Sequence, residues 1–173
     1  MKKKRTLNGL HWKIDKGTEK TFAMLYADLR LSDQFKGLSG AAQRFYTDCR
    51  INASRTAARK SLAAHISEDM QGEDHTEIQK AINKMFDDGC FVMPAKHLEL
   101  FGYTRQQGYN YMLELQKAGF VEEVEQNKHR RKENVYKFST NFKNPDQLKA
   151  YVKKLEEKIT RNKAKRKQQA NDK

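Results

Sequence analysis

The amino-acid sequence predicts a mainly α-helical protein with a small β-hairpin in its second half. Apolar residues recur at three- and four-residue spacing through most of the chain, which is typical of amphipathic helices. Two short segments instead alternate apolar and polar residues on either side of a strongly polar stretch, and this pattern predicts a hairpin. Of the 173 residues, 33% are charged and 37% are hydrophobic, so one core cannot include the whole chain.

The chain begins with a polar, basic arm, residues 1–19, which precedes a globular region, residues 20–143. The spacing of the apolar residues from Phe22 to Leu29 predicts a first helix, and Ser32 to Gly37 is predicted to be a loop. Ser39 is a good N-cap for a second helix, because its hydroxyl can accept a hydrogen bond from a free amide of the first turn. The inward residues of this helix are predicted to be Ala42, Phe45, Tyr46 and Cys49.

Two further helices are predicted before the centre of the chain. An alanine-rich pattern indicates a third helix from Ala53 to Met70, and a turn containing Gly72 follows it. Residues 75–88 place their apolar side chains on one face of a fourth helix, which Gly89 is expected to end. These two helices make up a helical insertion, residues 54–89.

A strand, a short helix and a glycine turn are predicted next. Phe91 to Met93 is a short strand-like run, and Pro94 suits the first turn of a helix because its fixed φ matches the helical value. Gly102 supplies the turn after this helix. Thr104 is then the predicted N-cap of a longer helix, from about Arg105 to Ala118, which Gly119 is expected to end.

The hairpin and a C-terminal helix complete the predicted elements. After Gly119, the segments Phe120–Gln126 and Val135–Ser139 both alternate apolar and polar residues, so each is predicted to be a half-buried strand. Apolar residues then recur at helical spacing from Leu148 to Ile159, whereas the last residues have no apolar stripe. Residues 144–173 are therefore predicted to be a basic helix that continues into a disordered tail.

The order helix, glycine turn, helix and hairpin describes a winged helix-turn-helix. Gly102 to Ser139 resembles the recognition helix and wing of winged-helix DNA-binding proteins: a polar cap, small or apolar inward positions, a leucine, a basic residue, Ala-Gly and two apolar residues. Leu29 to Arg50 resembles the first helices of small winged-helix proteins of plasmids, phages and conjugative elements, some of them similar to the N-terminal domains of plasmid replication initiators. The resemblance covers roughly residues 20–143 and implies sequence-specific binding to double-stranded DNA. A minimal winged helix has less chain where residues 54–89 lie, which makes this insertion a candidate surface for a second copy or another partner.

The charge distribution favours a polyanionic partner, because the net charge is +13. Residues 20–126 carry 13 Lys or Arg and 15 Asp or Glu, so this middle region is nearly neutral. Residues 1–19 carry a net charge of +4 and residues 127–173 a net charge of +11. Basic ends on a near-neutral folded region are expected of nucleic-acid-binding proteins, and the alternative is that they only maintain solubility.

The helix after Thr104 is the predicted recognition helix. Gly108, Tyr111, Met112 and Leu115 share its inward face, with Ala118 below them, and polar residues occupy the opposite face near its N-terminus. A helix in the major groove reads base edges, because Arg can donate two hydrogen bonds to guanine and Gln or Asn can pair with adenine. The alternative is that these polar residues are ordinary solvated side chains. The candidate DNA-binding residues here are Thr104, Arg105, Gln106, Gln107, Tyr109 and Asn110.

The predicted hairpin tip and both chain ends are candidate phosphate-binding regions. Four basic residues lie within five positions at the tip, and their mutual repulsion is relieved when a polyanion is bound. The candidate wing residues are Lys128, His129, Arg130, Arg131 and Lys132. Sequence-independent phosphate contacts are expected from Lys2, Lys3, Lys4, Arg5, Arg161, Lys163, Lys165, Arg166 and Lys167.

The sequence carries no pattern that predicts catalysis, a metal site, a cofactor or a small-molecule substrate. The five histidines and two cysteines lack metal-ligand spacing, and two cysteines are too few for a disulfide framework. P-loop, GxGxxG, HExxH and GxSxG motifs are absent, as is any apolar run that could span a bilayer. We therefore expect a non-enzymatic, cytoplasmic protein that associates with the nucleoid when it binds DNA.

Three functions are compatible with the sequence. The first is a transcriptional regulator that binds double-stranded DNA, with a homodimer as one arrangement. The second is a DNA-binding replication initiator or transfer accessory protein of a mobile element, which would recruit a partner through residues 54–89. The third is a basic RNA-binding protein, which the sequence favours less because it has no aromatic-rich strand for base stacking.

Overall fold

The computed structural model describes residues 27–125 and 134–171, and this part of the chain is mostly helical with one small antiparallel sheet. The helices are α1 (Ala27–Leu31), α2 (Asp33–Lys36), α3 (Gly40–Ser54), α4 (Thr56–Asp69), α5 (His75–Asp87), α6 (Ala95–Leu100), α7 (Arg105–Lys117) and α8 (Pro145–Asn171). The strands are β1 (Cys90–Val92), β2 (Val121–Glu125) and β3 (Val135–Phe138), and a 3-10 turn (Asn141–Lys143) precedes α8. The predicted mainly α architecture with a small β element is confirmed.

The segment predicted to be a loop, Ser32 to Gly37, contains the short helix α2. Ser32 caps this helix, since its hydroxyl accepts a hydrogen bond from the amide of Phe35 at 3.2 Å. Phe35 is buried, and its ring packs edge-on against Tyr46 and Phe120. A single turn is too short to be stable alone, so this aromatic packing is what stabilises α2. Of the predicted first helix, the structure describes only α1.

Helix α3 is the centre of the main hydrophobic core. The hydroxyl of Ser39 accepts a hydrogen bond from the amide of Ala42 at 3.1 Å, which confirms the predicted N-cap. The four residues predicted to face inward are all buried. The other large buried members of this core include Phe35, Phe91, Leu98, Met112, Leu115, Phe120 and Phe142. The core therefore joins α3 to α2, α6, α7, the sheet and the turn before α8.

The helical insertion packs against the sheet and forms a second, smaller core. The backbone of Arg55 is extended, so α3 ends at Ser54 and α4 begins three residues later than predicted. This core consists of Leu62, Ile66, Ile82, Cys90, Val92 and Val135. None of the large hydrophobic side chains described within residues 54–89 is fully exposed. The insertion thus uses its described apolar residues to extend the core over β1.

The sheet has three antiparallel strands in the order β1-β3-β2. Val92 pairs with Val135 on one side of β3, and Val121 pairs with Phe138 on the other. The predicted two-stranded hairpin was therefore incomplete, because β1 adds to the outer side of β3. All three residues of β1 are buried, and buried backbone amides and carbonyls need hydrogen-bond partners. β3 supplies them on one side of β1, and Asn52 Nδ2 of α3 donates to the Val92 carbonyl at 2.9 Å.

Helix α8 continues to Asn171 and so replaces most of the expected disordered tail. The distal residues are mainly Lys, Arg, Gln and Ala, which have high helix propensity. The first half of α8 is stabilised by packing, including the burial of Leu155. Adding turns to an existing helix costs far less free energy than starting a new one, so the helix extends beyond the packed residues.

Candidate nucleic-acid interface

Helix α7 begins with a capping box formed by Thr104 and Gln107. The Thr104 hydroxyl accepts a hydrogen bond from the Gln107 amide at 3.2 Å, and Gln107 Oε1 accepts one from the Thr104 amide at 2.9 Å. Thr104 is therefore the N-cap, as predicted. The spacing of Thr104 and Gln107 is itself a capping-box signal in the sequence. Both side chains stabilise the start of α7, so they are the least available of the candidates for contacts with bases.

The other candidate residues of α7 share an exposed face. Arg105, Gln106, Tyr109 and Asn110 are all exposed. Of the predicted inward residues, Gly108, Met112 and Leu115 are buried, and Tyr111 and Ala118 are half-buried. Gln106 Nε2 donates a hydrogen bond to Asn110 Oδ1 at 2.9 Å, so the two amides act as one unit across a helical turn. This bond leaves Gln106 Oε1 as an acceptor and Asn110 Nδ2 as a donor for another partner. Adenine presents the complementary pair, a donor at N6 and an acceptor at N7.

Two hydrogen-bonded contacts join α7 to α3. The Tyr103 hydroxyl, just before α7, donates to Asp48 Oδ2 at 2.6 Å. At the other end of α7, the Glu114 carboxylate accepts hydrogen bonds from the amide of Ser39 at 2.6 Å and from its hydroxyl at 3.0 Å. Burial of the hydroxyl raises the pKa of Tyr103 well above its usual value, and the hydrogen bond to Asp48 makes the next largest contribution. These contacts set the position of the exposed face of α7 relative to the core.

Replacing Tyr103 by phenylalanine is expected to lower the free energy of unfolding by about 1–2 kcal/mol at neutral pH, because Asp48 loses a buried donor. The raised pKa means that the folded protein keeps this proton above about pH 10 while the unfolded chain releases it. The contribution of Tyr103 is thus complete below about pH 10 and is lost as the pH rises further, so the variant should lose less stability there. Urea unfolding at neutral and alkaline pH measures both effects. Tyr109→Phe, which changes an exposed hydroxyl, is the control, and equal behaviour of the two variants would contradict the role of Tyr103.

Helices α6 and α7 pack closely because two glycines lie at their junction. A Cβ atom on Gly108 would lie 2.6 Å from Leu98 Cδ2, which is much closer than a van der Waals contact. Gly102, between the two helices, has φ +81°, a conformation that residues with a side chain rarely adopt. The close approach and the tight turn together hold α6 and α7 as a closely packed helix pair.

Helix α8 packs along α7 and β2. The Tyr151 hydroxyl accepts a hydrogen bond from the Glu123 amide at 3.2 Å and lies 3.5 Å from Gln116 Oε1. Lys158 forms an ion pair with the Glu123 side chain, and Leu155 is buried between these contacts. The sequence predicted the apolar stripe of α8 but not the elements against which it packs.

The remaining candidate residues differ in how much the structure describes of them. Arg161 is exposed, and four other candidates lie in the distal turns of α8: Lys163, Lys165, Arg166 and Lys167. The predicted wing residues Lys128 to Lys132 lie outside the described residues, although β2 and β3 lead into that segment from both sides. Lys2 to Arg5 also lie outside the described residues.

The cleft beside α7 is small, and the described residues hold no cluster of metal-ligating side chains. This cleft between α7, α8 and β3, lined by Tyr109, Met112, Tyr136 and Lys158 among others, has a volume of about 60 Å³, far below the several hundred Å³ of typical ligand sites. No group of His, Cys, Asp and Glu side chains in residues 27–125 and 134–171 is arranged to bind a metal. Burial raises the pKa of the Cys49 thiol, which favours its unreactive form. Within the same residues, no helix is long and apolar enough to cross a membrane.

Comparisons with protein-family models, curated proteins and solved structures give no match to this chain. Its main features are a closely packed helix pair, a polar exposed face on the second helix, and a three-stranded sheet whose last two strands flank a basic segment.

Proposed function

We propose that this protein is a winged helix-turn-helix protein that binds double-stranded DNA sequence-specifically, with α7 as the recognition helix in the major groove. The observation that carries the proposal is the connectivity β1-α6-α7-β2-β3 together with the strand order β1-β3-β2. This arrangement places a helix pair between the first two strands and a hairpin after the second helix, as a winged helix requires.

The accessibility and chemistry of α7 support this proposal. Its N-terminal face is polar and exposed, and N-terminal residues are the ones that a recognition helix presents to base edges. Arg105 forms no ion pair with the residues that the structure describes, so its guanidinium is available for a guanine. The Gln106–Asn110 pair has the donor and acceptor that adenine needs. The basic segment Lys128 to Lys132, between β2 and β3 in the sequence, would then contact phosphates beside the groove.

The sheet does not favour RNA binding. Proteins that recognise single-stranded RNA on a sheet stack the bases on exposed aromatic side chains. Here Phe91 is buried and its ring stacks on Phe138 at 4.4 Å, and Tyr136 is half-buried beside them. The aromatic residues of the strands therefore pack in the core and are not available for stacking on bases. We propose that the protein binds duplex DNA and regulates transcription.

The double variant Arg105→Ala, Asn110→Ala tests the recognition-helix assignment. A duplex of about 30 base pairs is first selected from a random pool by the full chain, and binding is compared with that of an unselected duplex of equal length. Each base-reading pair contributes about 1–3 kcal/mol of discrimination, so the ratio of the two affinities should fall at least about 30-fold. Competition with single-stranded DNA and with structured RNA identifies the preferred class of nucleic acid.

The matched control for this experiment is Arg130→Ala, Arg131→Ala in the predicted hairpin tip. Phosphate contacts carry no sequence information, so this variant should weaken binding to both duplexes by a similar factor. It should also lower the slope of log affinity against log salt by about 2. If the Arg105, Asn110 variant keeps the sequence preference of the parent chain, the proposed role of α7 is wrong.

A further inference from the structure

Helix α8 runs antiparallel to α7. Leu148, near the start of α8, lies against Gly119 just after the C-terminal end of α7. Fourteen residues further along α8, Asn162 shares a cleft with Tyr109 in the N-terminal half of α7. The C-terminal end of α8 therefore points in the same direction as the N-terminal end of α7, which is the end proposed to enter the groove.

Helix α8 also extends past the start of α7. It continues from Asn162 to Asn171, nine residues or roughly 13 Å at the rise of an α-helix. From Tyr109 back to Arg105, α7 has four residues, or roughly 6 Å. With Asn162 taken as level with Tyr109 and the two axes as antiparallel, Lys163 to Arg166 lie beside the first turn of α7, and Lys167 to Asn171 extend roughly 7 Å beyond Arg105.

The direction of α8 is set by contacts along its proximal half. The Tyr151 hydroxyl and the Lys158 ammonium group both contact Glu123 on β2, through its backbone amide and its carboxylate respectively. Glu156 forms an ion pair with Lys117 of α7 at 3.4 Å. Because these contacts join α8 to two different elements, the helix cannot pivot without breaking at least one of them.

The distal part of α8 is strongly basic. From Lys158 to Asn171 the sequence has six basic residues and no acidic residue. Like charges on adjacent turns of a helix repel each other and destabilise it. A polyanion that lies along the helix relieves this repulsion, and the phosphates of a duplex already bound by α7 are the nearest such partner.

We propose that residues 163–171 of α8 form a second DNA-contacting element, a rigid helical arm that follows the phosphate backbone beside the groove occupied by α7. This inference rests on the proposed function and deepens it. The contacts between the arm and the DNA backbone depend on the direction of the helix as well as on its charge. A basic tail without fixed structure would instead contact phosphates equally well in any conformation.

The substitution Ala164→Pro tests the arm, since it keeps every charge but interrupts the helix. Ala164 is exposed and lies beyond the packed half of α8. Proline removes a helical hydrogen bond and clashes with the preceding turn, so the residues beyond it lose their fixed direction. Ala164→Gln keeps both the helix and the charges and is the control, and Ala164→Gly, a weaker helix breaker, is expected to give an intermediate result.

The three variants are compared on the selected and unselected duplexes described above. We expect Ala164→Pro to weaken binding to the selected duplex about 10-fold, to lower the salt slope by about 1–2, and to shorten the hydroxyl-radical footprint at one end. Ala164→Gln should match the parent chain in all three. The urea midpoints of unfolding should agree among the variants, because position 164 lies outside both cores.

If Ala164→Pro binds like Ala164→Gln in affinity, slope and footprint, the arm is overturned while the recognition role of α7 is unaffected. If the full chain selects no preferred duplex, the proposed function itself is wrong and the arm falls with it. The two failures are therefore distinguishable.

Discussion

Replacing Gly119 by alanine is expected to lower the free energy of unfolding by about 2–5 kcal/mol. Gly119 has φ +80°, a left-handed conformation that costs a residue with a Cβ about 1–2 kcal/mol. The new Cβ would also lie 2.6 Å from the backbone nitrogen of Phe142 and 2.9 Å from Leu148 Cδ1. Backbone cannot move aside as a flexible side chain can, so relieving this clash should cost about 1–3 kcal/mol more. Urea unfolding followed by circular dichroism measures the loss.

Gly102→Ala is the matched control for this substitution. Gly102 has nearly the same φ, +81°, but no atom lies within 4 Å of the position that a Cβ would take there. Its substitution should therefore cost only the conformational part, about 1–2 kcal/mol. The difference between the two losses in unfolding free energy measures the cost of the clash alone, and so reports how closely α7, the 3-10 turn and α8 approach one another. Equal losses in the two variants would show that this approach is looser than the structure indicates.

Replacing Phe120 by alanine is expected to cost about 3–5 kcal/mol, as is usual for a fully buried aromatic side chain. The Phe120 ring stacks on Phe142 at 4.7 Å and packs edge-on against Phe35 at 5.5 Å and Tyr46 at 5.8 Å. It therefore joins α2, α3 and the turn before α8, and its removal leaves a cavity that three separate elements line. Both the transfer of the ring to water and this cavity contribute to the loss.

Leu100→Ala is the control for Phe120→Ala. Leu100 is also a large hydrophobic residue, but it is 60% exposed at the end of α6, so its loss should change the stability by less than about 0.5 kcal/mol. The urea midpoint and the slope of the unfolding transition distinguish the two variants. If Phe120→Ala unfolds at the midpoint of Leu100→Ala, the main core does not join these elements as described.

The predictions that agree with the structure depend on short-range interactions. Ser39 and Thr104 begin helices because their hydroxyls bond to amides three residues away. Gly89 and Gly119 end helices because each adopts a positive φ that other residues avoid. The exposed face of α7 also follows from helical periodicity alone. All of these are encoded within a few consecutive residues.

The features that the sequence analysis missed are helix α2, the pairing of β1 with β3 and the full length of α8, and they depend on contacts distant in the chain. Helix α2 exists because Phe35 packs on Phe120, which is 85 residues away in sequence. Strand β1 belongs to the sheet because it pairs with β3, whose residues lie more than 40 positions further along the chain. Helix α8 reaches Asn171 because its proximal half is already packed on α7 and β2. No local pattern carries this information, because the partner of each element is set only when the chain folds.

In the candidate site, too, some features follow from the local sequence and others from contacts between distant segments. The sequence by itself determined the polar residues at the start of α7, the inward face behind them, and the basic character of the hairpin tip and both chain ends. The hydrogen bond between Gln106 and Asn110, four residues apart on one helix, is equally local. Only the tertiary structure decided that Tyr103 and Glu114 join α7 to α3 and that α8 runs beside α7. Residue type and helical periodicity determine what a face can bind. Its position, and what lies next to it, depend on packing between segments far apart in the chain.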